Sequence, residues 1–293
     1  MATETSDAPA VGIIGGSGIY EIDGFEHTGT TTVSTPFGDP SEAITGGFLH
    51  GRRVWFLPRH GAGHTLMPHE VPHRANIWAL RSLGVRWLVS VSAVGSLCDE
   101  MAPRHLVVPD QMIDRTGTSA IHTFFGNGIV AHFSFAEPYC AELRRLMVDA
   151  AREECGSVHD GGTYLCINGP AFSTRAEAEM HRKIGANIIG MTNAPECRLA
   201  REAGIAMATL ALVTDYDCWK SGQPHVDAAS VAAVMKTNSI AAKSILRRLI
   251  PRIPSAPTSP AHTAISSAVM TPRHLWPQKT ADDLAPFLPQ DFA

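Results

Sequence analysis

Short apolar runs that read as strands alternate with helical segments along most of the chain, and this alternation is the strongest constraint on the fold. Strands are predicted at residues 11–14, 54–57, 87–91, 164–167, 188–191 and 206–214. Helices are predicted at residues 75–83, 142–154, 174–184, 194–203 and 228–250. Such alternation is typical of α/β domains. We therefore expect a single α/β domain, with a mixed, largely parallel, twisted central sheet surrounded by helices.

Composition excludes several classes of protein. The chain has 24 lysines and arginines against 28 acidic residues, a net charge of −4, and 44% of its 293 residues are hydrophobic. A disordered chain lacks that much apolar material, and a nucleic-acid scaffold would carry a basic surplus. No apolar stretch is long enough to span a membrane. The six cysteines are irregularly spaced, which favours reduced thiols and a cytoplasmic protein. From the charge balance and the lack of a long apolar stretch, we expect no nucleic-acid or membrane partner.

Composition changes only near the two ends of the chain. Residues 1–10 are polar and lack the apolar region of a signal peptide, which predicts a flexible N-terminus. Residues 11–250 carry the strand and helix pattern and form the main predicted domain. Four prolines between residues 251 and 260 predict an extended linker, followed by a short helix at residues 262–270. We expect residues 251–293 either to cover a ligand pocket or to form a surface tail.

Several predicted strands end in small, polar or charged residues. These ends are the glycine–serine turn at residues 15–18, Arg59-His60, Ser92-Ala93, Met191-Thr192 and Thr214-Asp215. In open α/β sheets, ligands bind outside the carboxyl ends of strands. The sequence therefore predicts one pocket to which several strand ends contribute.

Two of these ends are suited to an anion. The guanidinium of Arg59 matches phosphate bidentately, and the adjacent His60 can add a hydrogen bond. The turn at residues 15–18 fits neither a dinucleotide fingerprint nor a Walker A loop. Its glycines still allow backbone N–H groups to approach an anion, and Ser17 adds a hydroxyl. A plain tight turn and a surface Arg-His pair are the structural alternatives.

Asp215 and Asp217 follow the longest apolar run. Two carboxylates at the end of a buried strand are costly unless they have partners, and their proximity can keep a proton bound near neutral pH. The alternative is that they cap the next helix. On that helix, Val231, Val234 and Met235 form an apolar stripe, which is core more often than ligand pocket.

The segment His69-Glu70-Val71-Pro72-His73 has the letters of the H-E-x-x-H zinc motif. Zinc binding there needs one continuous helix that places both histidines on one face. Pro72 would lie inside that helix, where proline costs about 3 kcal/mol. We therefore predict no zinc site, and expect both histidines on the surface or in a loop.

Taken together, several short sequence motifs resemble those of a known protein family. They include residues 11–18 (VGIIGGSG), 59–61 (RHG), 64–68 (HTLMP), 75–80 (ANIWAL), 169–177 (GPAFSTRAE) and 214–220 (TDYDCWK), in this order. The sequence is similar to the 5′-methylthioadenosine phosphorylases of the trimeric purine nucleoside phosphorylase superfamily. The resemblance runs from about residue 11 to residue 250, and it makes that span a nucleoside phosphorylase domain. It is most specific at residues 214–219, where Asp215 replaces the asparagine of 6-oxopurine enzymes.

The resemblance implies roles for individual residues. It implies a phosphate site built from Ser17, Arg59, His60, Ser92, Ala93 and Thr192. It implies that Asp215 and Asp217 are catalytic and face the base. The remaining substrate contacts that it implies are His64, Phe172, Ser173 and Met191, together with Val231, Val234 and Met235 around the 5′-methylthio group. Finally, His132 would be lent to the active site of a neighbouring subunit in a homotrimer.

The implied activity is a pentosyl transfer. Phosphate would displace adenine from methylthioadenosine and give 5-methylthioribose 1-phosphate, with inorganic phosphate as co-substrate and neither metal nor organic cofactor. Within the superfamily, the alternative is an enzyme acting on inosine, guanosine or methylthioinosine, against which Asp215 argues. A hydrolytic nucleosidase and a non-catalytic nucleoside-binding protein are further alternatives. Fine base selectivity is the least constrained feature, because Asn168, Ala171 and Asn193 depart from the pattern of some members.

Overall fold

The computed structural model describes residues 8–16, 21–117, 122–222 and 226–288. Its strands are β1 (Ala10–Gly15), β2 (Phe25–Thr31), β3 (Ile44–Leu49), β4 (Arg52–Pro58), β5 (Val85–Ser96), β6 (Leu106–Val108), β7 (Gln111–Asp114), β8 (Val158–Asp160), β9 (Thr163–Cys166), β10 (Ile188–Gly190) and β11 (Ala206–Asp215). Its α-helices are α1 (His73–Ser82), α2 (Ala141–Glu154), α3 (Arg175–Lys183), α4 (Asn193–Glu202), α5 (Ala228–Leu249) and α6 (Gln278–Leu284). Within the described ranges these elements form one α/β domain around a mixed sheet.

β5 organises the sheet because it pairs with three other strands. It lies between β1 and β11, and it is parallel to both. Its last two residues, Gly95 and Ser96, pair with β10 in the antiparallel direction. From β1 the sheet continues through β4, β3 and β2, and from β10 it continues through β9 and β7. Strands on both sides of β5 therefore bring their carboxyl ends toward the same region.

Helices cover both faces of the sheet. On one face, Trp87 and Val89 of β5 pack with Leu143 of α2 and Leu246 of α5. On the other face, Leu88 of β5 packs in the cluster that includes α1, α4 and α6. Successive strand residues point to opposite faces, so a strand buried on both faces is apolar throughout. This explains the continuous apolar runs that predicted β5 and β11.

The predicted mixed sheet surrounded by helices is confirmed, and the differences are local. β5 continues to Ser96, although the sequence predicted its end near residue 91. Residues 92–96 are small, but they pair with β10 and β11 and so remain in the strand. Strands β2, β6, β7 and β8 were not predicted, because they are short or half-exposed. Strand β3 was not predicted because its two central glycines, Gly46 and Gly47, have low strand propensity.

The C-terminal segment packs against the body of the same chain. The predicted helix at residues 262–270 is wrong, because the chain forms a 3₁₀ turn (Pro260–Thr263) followed by irregular turns. The two ring nitrogens of His262 and its backbone fix this turn, with Nε2 lying 2.9 Å from the Arg86 carbonyl oxygen. Further on, Leu284 and Phe287 are buried in the core. No helix of the described ranges has the length and apolarity that crossing a bilayer requires.

Candidate active site

A cavity of about 700 Å³ lies at the carboxyl ends of the central strands. β1, β4, β10 and β11 deliver residues to it from the points where they end, and β5 lines it with residues 91–95. Most of the predicted site residues lie on its wall. These are Arg59, His60, His64, Ser92, Ala93, Phe172, Ser173, Met191, Thr192, Asp215, Asp217, Val231 and Met235. The two ends predicted to bind an anion and a base therefore share one cavity.

Three predicted residues are not on this wall. Ser17 lies outside the described residues, although Gly16 before it lines the cavity. Val234 does not line the cavity, because Ala228, Val231, Ala232 and Met235 form the stripe that faces it. A helix turns 100° per residue, which places Val234 to the side of that stripe. His132 is exposed and does not line the cavity.

Arg59 is almost fully buried, with 3% of its surface exposed. Its Nε and Nη2 bind the two carboxylate oxygens of Glu196. Nη2 also donates to Ser90 Oγ at 2.8 Å, and Nη1 donates to the Val91 carbonyl oxygen at 3.1 Å. Four of its five N–H bonds are thus committed to the protein. The guanidinium is rigidly held, and one N–H on Nη1 is left for a ligand.

Glu196 of α4 was missed by sequence reasoning. It is 1% exposed, and Ser90 Oγ donates to its Oε2 at 2.8 Å. Burial opposes ionisation of this carboxyl, but the charge of Arg59 outweighs it and lowers the pKa of Glu196. The pair is therefore ionic, and the positive charge that the sequence assigned to the anion site is largely balanced within the protein.

The ring of His60 lies beside Arg59 and stacks on the ring of His64, with 4.3 Å between their centroids. Burial and the neighbouring Arg59 charge lower the pKa of His60 to about 4. Its imidazole is therefore neutral near pH 7. His64 is exposed at the cavity rim, and its backbone is held in the left-handed region at φ 60°.

Asp215 is the last residue of β11, and its carboxyl contacts two polar groups. Asp217 N–H donates to Oδ1 at 2.7 Å, and Thr214 Oγ1 lies 2.7 Å from Oδ2. Thr214 Oγ1 also lies 3.1 Å from the Val94 carbonyl oxygen. The Thr214 hydroxyl donates to Asp215 Oδ2, and the Val94 carbonyl oxygen is a second acceptor for the same proton. Burial raises the pKa of Asp215, although the hydrogen bonds from Thr214 and from the Asp217 N–H oppose this rise.

Asp217 is 5% exposed, and its backbone is strained at φ 52°. Burial, with a smaller contribution from Asp215, raises its pKa to about 6, although the nearby Ser173 hydroxyl opposes this rise. Neither Asp217 Oδ2 nor Ser173 Oγ has a partner at hydrogen-bonding geometry within the described residues. Strained backbone and unsatisfied buried polar atoms are features of ligand sites. The helix that follows is capped by Asp227, so neither Asp215 nor Asp217 has the capping role.

A buried tyrosine, Tyr164, packs beneath the cavity wall near the anion end. Tyr164 Oη lies 3.2 Å from Ser92 Oγ, and Tyr164 is fully buried. A Cβ added at Gly190 would lie 1.9 Å from this oxygen, so only glycine fits before Met191. Ser92 and Thr192 are themselves buried, with exposed fractions of 6% and 4%. The hydroxyl groups at the anion end are therefore fixed by packing.

The zinc motif does not form one helical face. Residues Pro68–Glu70 form a 3₁₀ turn, and α1 begins only at His73, after Pro72. His69 is exposed, whereas His73 is buried, so the expectation that both are surface or loop histidines is wrong for His73. Within the described ranges, no group of three histidine, cysteine or acidic side chains is arranged to hold a metal.

Comparison with known proteins identifies the family. The model of the phosphorylase superfamily matches residues 10–251. The chain belongs to the phosphorylase superfamily. Its relatives in this superfamily include an S-methyl-5′-thioadenosine phosphorylase from Geobacter sulfurreducens, which is 48% identical over 94% of this chain and 96% of its own. One from Hyperthermus butylicus is 52% identical over 84% of this chain and 89% of its own.

Solved structures of the superfamily agree. A methylthioadenosine phosphorylase from an antarctic soil metagenomic library superposes with a TM-score of 0.91 at 47% identity, covering 97% of this chain and 100% of its own. A Schistosoma mansoni methylthioadenosine phosphorylase, solved in complex with adenine, gives a TM-score of 0.79 at 38% identity, covering 84% of this chain and 92% of its own. The phosphorylase fold predicted from the sequence is therefore confirmed.

Proposed function

We propose that the protein is an S-methyl-5′-thioadenosine phosphorylase, which converts methylthioadenosine and phosphate reversibly to adenine and 5-methylthioribose 1-phosphate. One observation carries this proposal. An acidic pair, Asp215 and Asp217, shares a single cavity with the anion-binding pair Arg59 and His60, in a chain about half identical to enzymes of that name. The reaction needs both ends, because phosphate attacks one side of the ribose while the base leaves from the other.

At the anion end, Arg59, His60, Ser92, Thr192 and the Ala93 backbone hold phosphate beneath the sugar. Ser17 joins this set by resemblance. Positive charge develops on the ribose in the transition state, so a fixed phosphate dianion stabilises it electrostatically. Holding the nucleophile in place also converts a bimolecular encounter into a positioned one. Because Arg59 is rigid and buried, it loses little side-chain freedom when phosphate binds.

At the base end, Asp215 donates a proton to the purine N7 as the bond to adenine breaks. Burial of Asp215 raises its pKa, which favours the protonated carboxyl that this step needs. Asp217 accepts a hydrogen bond from the exocyclic amine of adenine, and Ser173 contributes its hydroxyl. A 6-oxopurine would present an acceptor to this acceptor. Leaving buried polar groups unmatched costs about 1–3 kcal/mol, which favours the aminopurine.

The remaining wall fits the rest of the nucleoside. Met191 lies under the ribose, Phe172 lies against the purine, and His64 closes the rim. Val231 and Met235, with Ala228 and Ala232, form an apolar surface for the 5′-methylthio group. A hydroxyl group gains nothing from such a surface, so methylthioadenosine is preferred over adenosine by about 1–3 kcal/mol.

We propose a homotrimer in which His132 enters the neighbouring active site. His132 N–H donates to the Ala268 carbonyl oxygen at 2.9 Å, so the C-terminal segment supports this residue. Val130 and Met270 beside it are exposed at 47% and 66%, as expected of a surface that another subunit covers. An assembly of about 94 kDa in ultracentrifugation would support the trimer, since one chain is 31.4 kDa. Two inactive variants, His132→Ala and Asp215→Ala, should regain activity when mixed, because some mixed sites then contain neither change.

The reaction needs no metal or organic cofactor, because inorganic phosphate is itself a substrate. All six cysteines are free thiols, which supports a cytoplasmic location. The residues that line the cavity all belong to the matched span, residues 10–251. Of the described residues after residue 251, which were expected to cover the pocket or to form a surface tail, none lines the cavity of its own chain.

Release of free base by the purified protein tests the proposal. Methylthioadenosine, adenosine and inosine are each incubated with and without phosphate. We expect adenine from methylthioadenosine only when phosphate is present. Base release without phosphate would identify a hydrolase, preference for inosine would identify a 6-oxopurine phosphorylase, and no release from any of the three would leave a nucleoside-binding protein.

A further inference from the structure

The hydrogen bonds around His60 fix which of its ring nitrogens carries a proton. Nδ1 lies 2.9 Å from the backbone carbonyl oxygen of Leu66. A carbonyl oxygen can only accept, so Nδ1 must be the donor. The loop that supplies this carbonyl is closed tightly, because the N–H groups of Thr65 and Leu66 both donate to the His60 carbonyl oxygen, at 2.9 and 3.0 Å. The ring therefore cannot easily reverse its orientation.

The second nitrogen of His60, Nε2, is consequently an acceptor. Burial and the charge of Arg59 disfavour protonation of the ring, and the stacked His64 acts in the same direction. Glu196 favours protonation, but it is neutralised by its own bonds to Arg59. A neutral imidazole with its proton on Nδ1 has a lone pair on Nε2. This is the opposite of the donor that the sequence suggested for His60.

An acceptor is an unusual group to face an anion. Arg59 offers one uncommitted N–H, and the Ser92 and Thr192 hydroxyls offer further donors. An anion whose four oxygens carry no proton would direct one of them at the His60 lone pair, and the two would repel. Hydrogen phosphate carries one P–OH group, which can donate to that lone pair. Its two negative charges remain available to the donors.

We propose that His60 Nε2 accepts a hydrogen bond from the P–OH group of hydrogen phosphate, so that the site selects a tetrahedral dianion that carries a proton. The proposal rests on the phosphorolysis proposed above. That reaction balances with this species, because neutral nucleoside and HPO₄²⁻ give neutral adenine and a sugar phosphate dianion. The proton that phosphate brings equals the proton that adenine takes away, so none is gained or lost overall.

Isothermal titration calorimetry of the full-length protein at pH 8, without nucleoside, tests the proposal. The probes are phosphate and arsenate, which carry a hydroxyl as dianions, and sulfate, which does not. We expect phosphate and arsenate to bind at least tenfold more tightly than sulfate. We also expect the enthalpy of phosphate binding to be the same in buffers of different ionisation enthalpy, because the ring takes up no proton.

A variant separates His60 from the rest of the site. In His60→Ala, phosphate affinity should fall to that of sulfate, while sulfate affinity stays the same or rises. The control is His69→Ala, a change of an exposed histidine outside the cavity, which should retain the wild-type preference. If His60→Ala does not fold, the pH dependence of sulfate binding to the wild-type protein tests the same inference. Sulfate should bind more tightly as the pH falls toward 5, with proton uptake.

Two results would overturn the inference. Equal binding of sulfate and phosphate at pH 8 would show that the P–OH group is not recognised. Uptake of one proton with phosphate would show that His60 donates as an imidazolium. The same preparation is assayed for adenine release, which separates this inference from the proposed function. Phosphorolysis without anion selectivity refutes only the role of His60, whereas absence of both phosphate binding and adenine release refutes the phosphorylase itself.

Discussion

The guanidinium of Arg59 and the carboxylate of Glu196 form a buried, bidentate ion pair directly behind the anion end of the cavity. Ser90 bridges them, since it accepts from Arg59 and donates to Glu196. The cavity therefore presents phosphate with a guanidinium whose charge is already largely compensated by Glu196. A weaker net charge at this end is consistent with an enzyme that must release a sugar phosphate after each turnover.

Replacement of Glu196 by glutamine should destabilise the fold and strengthen its response to phosphate. Removing one partner of a buried ion pair costs about 3–5 kcal/mol of unfolding free energy, because the other charge is left uncompensated. Phosphate can supply the missing negative charge, so it should raise the Tm of Glu196→Gln more than that of the wild type. Urea denaturation and thermal unfolding, with and without phosphate, measure both effects.

A matched control for this change is Glu26→Gln, on the exposed strand β2. It should leave both the stability and the phosphate response unchanged. If Glu196→Gln lowers stability but phosphate raises its Tm no more than it raises that of the wild type, Glu196 only holds α4 against the sheet.

Asp215→Asn should shift the preference of the enzyme from aminopurines toward 6-oxopurines. An amide at residue 215 has two N–H donors, one for the purine N7 and one for the oxygen of a 6-oxopurine, whereas the protonated carboxyl of Asp215 has only the proton that it donates to N7. The mismatch is worth about 1–3 kcal/mol. We therefore expect the ratio of kcat/KM for methylthioinosine over methylthioadenosine to rise by roughly five- to 150-fold. Unchanged adenine preference in the variant would remove Asp215 from base recognition.

The pH dependence of kcat/KM should report the ionisation of Asp217. Burial raises the pKa of Asp217 to about 6. This carboxyl must be ionised to accept a hydrogen bond from the adenine amine. Activity should therefore fall as the pH drops through about 6, by tenfold for each further unit. With the HPO₄²⁻ concentration held constant and saturating at each pH, Asp217→Asn should have a lower plateau and no such decline. A wild-type profile that stays flat down to pH 5 contradicts this role.

Glu202 should make the protein less stable as the pH rises toward neutrality. It is 2% exposed, and it accepts from Phe124 N–H at 2.7 Å and from Thr123 Oγ1 at 2.8 Å. Burial raises its pKa from 4.5 to about 7. The folded protein thus binds this proton more tightly than the unfolded chain, so its contribution is fully present below pH 4.5 and is lost as the pH approaches 7.

The size of this loss is about 3 kcal/mol for a shift of this extent. Glu202→Gln should remove the corresponding slope between pH 5 and pH 8, since an amide does not titrate. Urea denaturation at these two pH values measures it, with Glu137→Gln, a change of an exposed carboxyl in the loop before α2, as control. An equal slope in the Glu202→Gln variant and the wild type would show that Glu202 is ionised throughout.

The sequence predicts those parts of the site that lie next to a strand end. Asp215 and His60 could be identified because each comes within three residues of a strong apolar run, and the sheet then brings such ends together. Glu196 could not be identified in this way. An acidic residue in the first turn of a helix is common, since it complements the helix dipole. Only the tertiary contact with Arg59, 137 residues away, makes it part of the site.

Local patterns also failed where tertiary contacts decide the conformation. Residues 92–96 look like a turn because they are small, yet they are small because neighbouring residues, such as Asp215, approach this part of β5 closely. A Cβ added at Gly95 would lie 2.9 Å from Asp215 Oδ1. Near the C-terminus, residues 262–270 have helical composition, but the bonds of His262 to Arg86 hold the chain in tighter turns. In both cases a partner distant in the sequence outweighs local propensity.

The two halves of α5 are subject to different demands. Its C-terminal half is buried, through Ala242, Ile245, Leu246 and Leu249, whereas its N-terminal turns border the cavity and are more exposed. Substitutions in the first turns can therefore enlarge or shorten the room for a 5′ substituent while the distal turns keep the helix anchored to the domain. This part of the wall is where nucleosides of different length can be accommodated during evolution without loss of the fold.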